Sequence, residues 1–252
     1  MEPRSEQDFW PRSVCWHDVT MAADSENLAL DEILLQKVDA DPSLAILRTW
    51  EPTNHFVVVG RSNHVETEVD EPQCRLESVP IFRRTSGGGA VVVGPGCLAY
   101  ALILPLNPTL RANGVVGVTQ AVMEVVATAL SAVAPGIQVR GTSDLVIRDR
   151  KFSGNSQRWL KNAFLHHGTI LYDYDLPRIE RLLRLPSREP DYRSHRPHAE
   201  FVGNIPILRD ELVHRLVTAW HGQFMECEIE SRLQARLLAA SRYEQRAWNY
   251  ER

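Results

Sequence analysis

The chain has 252 residues, of which 44% are hydrophobic and 24% are charged, and its formal net charge is −4 at pH 7. This composition predicts one large globular domain, and the negative charge argues against a general nucleic-acid-binding protein. The four cysteines form no CxxC pair, the N-terminus is polar, and no apolar run reaches the roughly 20 residues of a membrane span. We therefore predict a cytoplasmic protein with no nucleic-acid or membrane partner.

In the first half of the chain, one helix is followed by short strands. Residues 1–13 are predicted as a disordered tail and residues 14–252 as a single domain. A helix within 22–38 has its apolar residues at helical spacing, with Ser25 as its N-cap. The predicted strands are 44–50, 55–60, 79–85, 89–93 and 97–104. We expect the first two strands to form a hairpin and the last two to form a pair across the turn at 94–96.

In the second half, helices and strands mix without regular βαβ alternation. A long amphipathic helix is predicted over 115–134, and short strands are predicted within 137–154 and 164–176. Further helices are predicted at 177–185, 209–224 and 231–248, and residues 186–205 are predicted as a surface loop. This mixture predicts an α+β fold, in which a mostly antiparallel sheet is flanked by helices.

The stretch RRTSGGG at 83–89 is the first candidate for a functional site. It is either a plain wide loop or a ligand-binding loop. Three glycines allow backbone N–H groups to approach an anion, and an arginine such as Arg84 can bind phosphate or carboxylate with two parallel hydrogen bonds. The sequence GK[ST] does not follow, and no GxGxxG opens a helix, so neither nucleotide-binding fingerprint is present.

The segment KFSGNSQR, which begins at Lys151, and the pair His166-His167 form the second candidate. Lysine is a compact cation that suits a phosphate or a developing oxyanion. The alternative for Lys151 is a solvated turn lysine, and for the histidines it is packing at the edge of a strand. Two adjacent histidines without a third ligand do not predict a metal site.

Taken together, these motifs resemble the lipoate–protein ligase family, within the biotin/lipoate ligase superfamily of catalytic domains. The motifs RRTSGGGAV, SDL, KFSGNSQR and LHHGTIL occur in the family's order, and the resemblance covers about residues 25–250. NLALDEILL, LRTWEPTNHFVVVGRSN and SRYEQRAWNY resemble further family segments. The resemblance implies that 14–252 is a single catalytic domain and that the family's C-terminal accessory domain is absent.

The resemblance also implies an activity. The family activates lipoate or octanoate with ATP and Mg²⁺ as an acyl-adenylate. It then transfers the acyl group to a lysine of an apo lipoyl domain or of a glycine-cleavage H protein. A separate accessory-domain protein is a further expected partner, because some relatives need one to form the adenylate. The residues do not decide between lipoate and octanoate, nor between the two acceptor proteins. Residues 188–198 are either a partner-recognition loop or a solvated loop.

By resemblance, Lys151 is the essential lysine, which contacts the acyl carbonyl and the phosphate. Arg84 and the stretch 87–92 would hold the adenylate, and Trp50 and Val58 would wall the acyl tunnel. The other positions that the resemblance implies line the same pocket. The full cofactor-binding set is Arg84, Ser86, Gly87, Gly88, Gly89, Ala90, Val91, Val92, Asp144, Asn155, His167 and Gly168.

The chain departs from the family pattern after the glycines, where Val93-Gly94 and Cys97 replace a His-Asp pair and an Asn. Two alternatives to an ATP-dependent ligase therefore stay open. One is an ATP-independent octanoyl or lipoyl transferase that uses a thioester donor, for which Cys97 is the only thiol near the site. The other is a non-catalytic relative that binds a ligand. A biotin ligase is disfavoured by its different arginine–glycine pattern.

Overall fold

The computed structural model describes residues 9–251. Its strands form an eight-stranded sheet in the order β11-β1-β2-β6-β10-β9-β8-β7 and a three-stranded sheet in the order β4-β3-β5. The strands are β1 (Val14–Asp18), β2 (Ile46–Trp50), β3 (Phe56–Val59), β4 (Ile81–Arg83), β5 (Val91–Val93), β6 (Cys97–Pro105), β7 (Gln138–Arg140), β8 (Asp144–Ile147), β9 (Arg150–Trp159), β10 (Ala163–Leu171) and β11 (Gly222–Phe224).

Helices cover the large sheet and connect its strands. The helices are α1 (Asp24–Ala40), α2 (Val65–Glu68), α3 (Glu71–Leu76), α4 (Pro108–Ser131), α5 (Pro177–Leu182), α6 (His198–Phe201), α7 (Arg209–Ala219), α8 (Ile229–Leu238) and α9 (Arg246–Tyr250). Among the described residues, six of the nine strand pairings are antiparallel. The predicted α+β class with a mostly antiparallel sheet is therefore confirmed.

Strand β6 separates two apolar cores, because both of its faces are covered. Alternate side chains of a strand point to opposite faces. Ala99 and Ile103 pack into the core shared with α1 and the small sheet, whereas Leu102 and Leu104 pack into the core shared with α4 and α7. The continuous apolar run CLAYALIL thus reflects burial on both sides, and it places the large sheet between two layers.

Both predicted strand pairings of the first half are wrong. Strand β2 pairs with β1 on one edge and with β6 on the other, so it has no free edge for β3. Strand β3 instead lies between β4 and β5 in the small sheet. The turn at 94–96 likewise carries the chain from β5 in the small sheet to β6 in the large one.

The start of α1 also differs from the prediction. The N-cap is Ala23, and the Glu26 side chain accepts from the Ala23 N–H. Ser25 lies inside the first turn, where its hydroxyl donates to Glu244. A tertiary contact has therefore taken the serine side chain that the local pattern assigned to the cap.

Three further boundaries differ because tertiary contacts override local patterns. The helix predicted over 209–224 ends at Ala219, and the chain then adds β11 beside β1. The helix predicted over 231–248 is divided into α8, a π turn at Ala239–Tyr243 and α9. The segment predicted as a surface loop, 186–205, contains a 3₁₀ turn, α6 and the buried side chains of Arg193, His198 and Phe201.

Helix α4 begins seven residues before the predicted start, at Pro108, and a break at Gly114 (φ 63°, ψ 179°) divides it. By length and composition it is apolar enough to cross a membrane, contrary to the expectation from the sequence. One of its faces carries buried residues such as Val118, Val122 and Val126, which pack into the second core. Packing against the sheet therefore accounts for this buried face, whereas other apolar residues of the helix, such as Val115 and Val116, are exposed.

The predicted disordered tail at 1–13 falls largely outside the described residues. In its described part, Phe9 and Trp10 form an edge-to-face pair, and Trp10 contacts Trp220 with 5.1 Å between ring centroids. The aromatic residues at this end of the chain thus pack against the α7 side of the large sheet.

Candidate functional site

The arginine at the start of the glycine loop organises the loop itself. Arg84 is 7% exposed, and its Nη2 donates to the carbonyl oxygens of Gly87 (2.5 Å) and Gly89 (2.8 Å). Its Nε donates to Ser86 Oγ (3.1 Å), and its Nη1 donates to the Val58 carbonyl (3.3 Å). Burial lowers the pKa of Arg84 to about 10, so the guanidinium is still charged at neutral pH. Because the carbonyl groups of Gly87 and Gly89 point toward Arg84, the N–H groups of the loop can point away from it, toward another group.

The preceding arginine has a different role. Arg83 is fully buried, and its Nη1 donates to the carbonyls of Gly60 (2.9 Å) and Asn63 (2.7 Å). Its Nη2 donates to the carbonyl of Asn249, 2.8 Å away. Arg83 therefore ties the small sheet to the last helix of the chain.

The three glycines meet different requirements. Gly88 has φ +88°, a conformation that favours glycine. Gly87 and Gly89 do not have such an angle, and a Cβ added to either would meet no atom within 4 Å. The protein itself therefore does not require glycine at 87 or 89, and the space left beside the loop can admit a ligand.

Lys151 lies on β9 beside a carboxylate. Its Nζ is 2.8 Å from Asp144 Oδ1, and the lysine side chain is 28% exposed. Tyr192 donates its hydroxyl to the other oxygen, Asp144 Oδ2, at 2.7 Å. A Cβ at Gly154 would lie 2.9 Å from the Lys151 Nζ, so this glycine leaves room for the lysine. Asp144, which is oriented by Tyr192, thus fixes the direction of the Lys151 ammonium.

A polar chain leads from the glycine loop to the interior. His167 Nε2 lies 2.6 Å from Ser86 Oγ, and His167 Nδ1 lies 3.7 Å from Asp31 Oδ2. Arg48, which is fully buried, donates from Nη1 to Asp31 Oδ1 at 2.6 Å. This chain links the loop, β10, α1 and β2, and it fixes the orientation of the His167 ring.

The other histidine of the pair points to the opposite face of β10. His166 is fully buried, its Nδ1 lies 3.0 Å from Gln157 Nε2, and burial lowers its pKa to about 3. The expectation that the histidines pack at a strand thus describes His166, whereas His167 lies at the site.

Asn155 is held rigidly under the site by Tyr100, whose hydroxyl donates to Asn155 Oδ1 at 2.5 Å. Its amide nitrogen donates to the Ser143 carbonyl at 2.7 Å. Gly168 on the neighbouring strand has no space for a side chain, since a Cβ there would lie 1.7 Å from Asn155 Oδ1. The glycine of LHHGT is therefore required by close packing.

These groups surround one cavity of about 850 Å³ between the two sheets. Eleven of the thirteen residues predicted for the site line it, and the exceptions are Ser86 and Gly87. The eleven are Arg84, Gly88, Gly89, Ala90, Val91, Val92, Asp144, Lys151, Asn155, His167 and Gly168. Ser86 lies behind the loop, where it bonds Arg84 and His167.

One part of the cavity is apolar. Trp50 and Val58, which the resemblance placed in an acyl tunnel, both line it. The other apolar lining residues include Leu28, Ala99, Leu171, Ile179 and Leu183. The cavity therefore combines a polar region, formed by the glycine loop and Lys151, with an apolar region that can bury a hydrocarbon chain.

Sequence reasoning missed several lining residues. Asp31 lines the cavity from α1, and its only signal was an acidic residue on the buried side of an amphipathic helix. Arg184 and Arg188 line it from the segment after α5. This segment is held by Glu68, which accepts from the N–H and hydroxyl of Ser187. Residues 188–198 are predicted only as a partner-recognition or solvated loop, and no local pattern places this segment at the cavity, because its position depends on long-range contacts.

No cysteine is among the described residues that line the cavity. Cys97 is fully buried, and burial raises the pKa of its thiol to about 12. A thiolate is the nucleophilic form of cysteine, and at neutral pH this thiol is protonated. The site therefore does not have the geometry of a cysteine nucleophile.

The described residues contain no cluster of three His, Cys, Asp or Glu side chains that could hold a metal ion. Asp144, the carboxylate beside Lys151, has both oxygens occupied, by Lys151 and by Tyr192. The Mg²⁺ that the resemblance implies therefore stays a prediction.

The glycine loop, the fixed lysine and the apolar side chains thus meet in one cavity, and the motifs that supply them are those that carried the family resemblance. Residues 24–220 match the family model of the lipoyl protein ligase A/B catalytic domain. The chain belongs to this family, as its sequence motifs predicted.

Similar proteins of known sequence and structure agree with this assignment. The chain is 32% identical over 159 residues to the probable lipoate-protein ligase A of Mycoplasma pneumoniae, covering 63% of this chain and 45% of that protein. It is 32% identical over 157 residues to a putative lipoate-protein ligase A of Aeropyrum pernix, covering 62% and 57%. The aligned part of the chain thus spans about half the length of these curated relatives.

Two solved structures show the same fold. A lipoate-protein ligase A bound with ATP has a TM-score of 0.81 at 20% identity, covering 94% of this chain and 98% of that chain. The archaeal bipartite lipoate protein ligase of Thermoplasma acidophilum, described with its E2 lipoyl domain, has a TM-score of 0.79 at 21% identity, covering 94% and 96%. The predicted lipoate-ligase type of fold is confirmed.

Proposed function

We propose that this protein is a lipoate–protein ligase, which joins lipoate or octanoate to a specific lysine of an acceptor protein through an ATP-derived acyl-adenylate. The observation that carries the proposal is the single cavity in which the glycine loop and Lys151 adjoin an apolar chamber. An acyl-adenylate has a similar division, because its apolar acyl chain is joined by a mixed anhydride to a phosphate that carries the nucleoside.

Two groups would stabilise charge during the reaction. Acyl transfer from an adenylate develops negative charge on the carbonyl oxygen and releases an anionic phosphate. The Lys151 ammonium and the N–H groups of the loop supply fixed positive charge and dipoles for these oxygens. Arg84 acts by shaping the loop, since four of its hydrogen bonds go to the loop and to β3.

The apolar chamber would hold the acyl chain and exclude water from the mixed anhydride. Burial of each methylene group contributes about 0.8 kcal/mol, so an eight-carbon chain can supply substantial binding energy. Lipoate and octanoate share this chain and the carboxylate, and both are candidate substrates. The ATP-independent alternative with a cysteine thioester is disfavoured by the cysteine-free lining and the protonated Cys97.

The proposed acceptor is a lipoyl domain or a glycine-cleavage H protein. We further propose that adenylate formation needs a separate accessory protein. The fold similarity to nearly the whole of one chain of a bipartite ligase supports this dependence. If the purified protein forms lipoyl-adenylate from lipoate and ATP unaided, the accessory requirement is wrong, while the ligase proposal stands.

Mass spectrometry of an apo lipoyl domain tests the function. The domain is incubated with this protein, ATP, Mg²⁺ and lipoate or octanoate, with and without a candidate accessory protein. We expect the mass increase of one acyl group on one lysine. An apo domain that keeps its mass in all four incubations, and with a synthetic lipoyl-adenylate as donor, would contradict the proposal.

The role of Lys151 is tested in the same assay. Lys151→Gln removes the cation that faces the reacting oxygens, and loss of one such donor reduces rate by about 10²–10³-fold. Lys161→Gln is the matched control, because Lys161 is exposed in the turn after β9 and does not line the cavity. A Lys151→Gln protein with unreduced transfer would show that the lysine has no catalytic role.

A further inference from the structure

A second, smaller cavity lies on the other side of the glycine loop. Its volume is about 400 Å³, and it is more open to solvent than the cavity described above. Its lining residues are Arg61, Ser62, Thr85, Gly87, Val115, Gln157, Arg158 and Trp159. None of the functions described so far uses this surface.

The charges of this cavity are unbalanced. Within residues 9–251, neither guanidinium of Arg61 or Arg158 has an ion pair or a side-chain hydrogen bond, and the lining holds no acidic side chain. Many other arginines of the surface have such partners, for example Arg196 with Asp149. In a chain with a net charge of −4, two uncompensated cations in the lining of one cavity favour an acidic partner over solvent alone.

Apolar side chains adjoin these arginines. The break of α4 at Gly114 presents Val115 and Val116 to solvent, where they are 50% and 61% exposed. The indole of Trp159 lies in the same lining. Aromatic and apolar side chains beside arginine are typical of the centre of protein–protein interfaces.

The cavity also adjoins the reaction site. Ser62 lines both cavities, and Gly87 lines the second while Gly88 and Gly89 line the first. Ser156 donates to the Gly87 carbonyl at 2.9 Å, and its neighbour Gln157 lines the second cavity. The glycine loop and β9 therefore form a common wall between the two cavities.

We propose that the second cavity, with Val115 and Val116, is the docking surface for the acceptor protein, which would bind the two arginines through acidic side chains on its own surface. This inference rests on the proposed ligase function. A lysine amine has only a four-carbon stem, so the acceptor must dock beside the loop for its amine to reach an acyl carbonyl in the first cavity. The segment 188–198 contributes Arg188, Arg193 and His198 to the wall of the first cavity, and its role in partner recognition stays a prediction.

Charge reversal tests this surface. Arg61→Glu, Arg158→Glu and the double variant are compared with Arg75→Glu, which changes an exposed arginine of α3 that lines neither cavity. Synthetic lipoyl-adenylate serves as donor, and an apo lipoyl domain or hydroxylamine serves as acceptor. We expect the double variant to raise the KM for the lipoyl domain about tenfold or more, and to flatten its salt dependence. Transfer to hydroxylamine should stay within about twofold of the wild type.

A second variant and a binding measurement separate the possible failures. Val116→Asp changes a side chain that is 61% exposed, and it should also raise the KM for the lipoyl domain. Direct titration of fluorescent apo lipoyl domain needs no catalysis, so it tests docking even if the wild type transfers nothing. Wild-type affinity that survives charge reversal, or equal losses with hydroxylamine and the lipoyl domain, would overturn the docking proposal. Absence of transfer despite charge-sensitive binding would overturn only the ligase function.

Discussion

At the scale of single residues, the glycine loop shows two different uses of glycine. Gly88 adopts a positive φ, whereas Gly89 has an ordinary backbone conformation and open space where a side chain would lie. Gly168, on the strand opposite, is required because Asn155 fills the space that a Cβ would take. Gly88 thus serves a backbone conformation and Gly168 close packing, whereas Gly89 leaves space for a ligand.

We predict opposite outcomes for Gly168→Ala and Gly89→Ala. The added methyl at 168 would overlap Asn155 Oδ1, and overpacking of this kind lowers the free energy of unfolding by about 1–3 kcal/mol. The methyl at 89 meets no protein atom, so stability should be unchanged or raised by up to about 1 kcal/mol. Urea denaturation of both variants provides the measurement.

Gly89→Ala also tests whether a ligand approaches the glycine loop. Since Gly89 lines the cavity, its methyl should obstruct a bound adenylate and weaken the binding of lipoyl-adenylate about tenfold by calorimetry. Gly89→Ala protein that binds the adenylate as tightly as the wild type would show that no ligand approaches the loop at this point.

At the scale of elements, α1 is attached to the large sheet by a buried charged pair. Arg48 on β2 donates to Asp31 Oδ1, and it also donates to the Asn27 carbonyl at 2.8 Å and to Asn27 Oδ1 at 2.7 Å. Asp31 also faces His167 on β10. The helix therefore sets the position of a site residue as well as covering the core.

We predict that Asp31→Ala lowers the free energy of unfolding by about 3–5 kcal/mol, because it leaves the Arg48 guanidinium buried without its counter-charge. The double variant Asp31→Leu/Arg48→Met removes both charges and should lose less. Urea denaturation of Asp31→Leu, of Arg48→Met and of the double variant gives the coupling energy. If the double variant loses at least as much as Asp31→Ala, the pair does not act as a compensated unit.

At the scale of the whole molecule, several histidines with lowered pKa values make the fold sensitive to acid. Burial lowers the pKa values of His17, His55, His166 and His198. His166 has the largest shift, to about 3 from an ordinary value of 6.5, because its ring is fully buried on the core side of β10. The folded protein therefore keeps this ring neutral at a pH where the unfolded chain binds a proton.

We predict that stability falls as the pH drops below about 6.5. Above this pH the ring is neutral in both states and contributes no pH dependence. Below it, only the unfolded state binds the proton, so His166 reduces the free energy of unfolding by about 1.4 kcal/mol per pH unit. Urea denaturation between pH 7 and pH 5 should show a smaller slope for His166→Leu than for the wild type. Equal slopes would mean that His166 is protonated in the folded state.

Local patterns predicted most of the elements but not their partners. The strand at 79–85 and the helix that contains 115–131 follow from apolar periodicity, which depends on neighbouring residues alone. The two expected pairings among β2, β3, β5 and β6 were wrong, since strand pairing is a competition for edges across the whole sheet. Ser25 shows the same limit of local patterns, because its hydroxyl donates to Glu244, which is far away in sequence.

The amino-acid sequence by itself determined the class of fold, the family and the three motifs that line the cavity. The order and spacing of RRTSGGG, KFSGNSQR and LHHGT are the basis of these predictions, because chemistry and backbone requirements restrict which residues can occupy those positions. Only the tertiary structure decided that Arg84 shapes the loop, that Asp31 and Arg188 line the cavity, and that a second, cationic cavity adjoins it. Each of these depends on which distant segments meet, and that is settled by the packing of the two sheets and not by any local pattern.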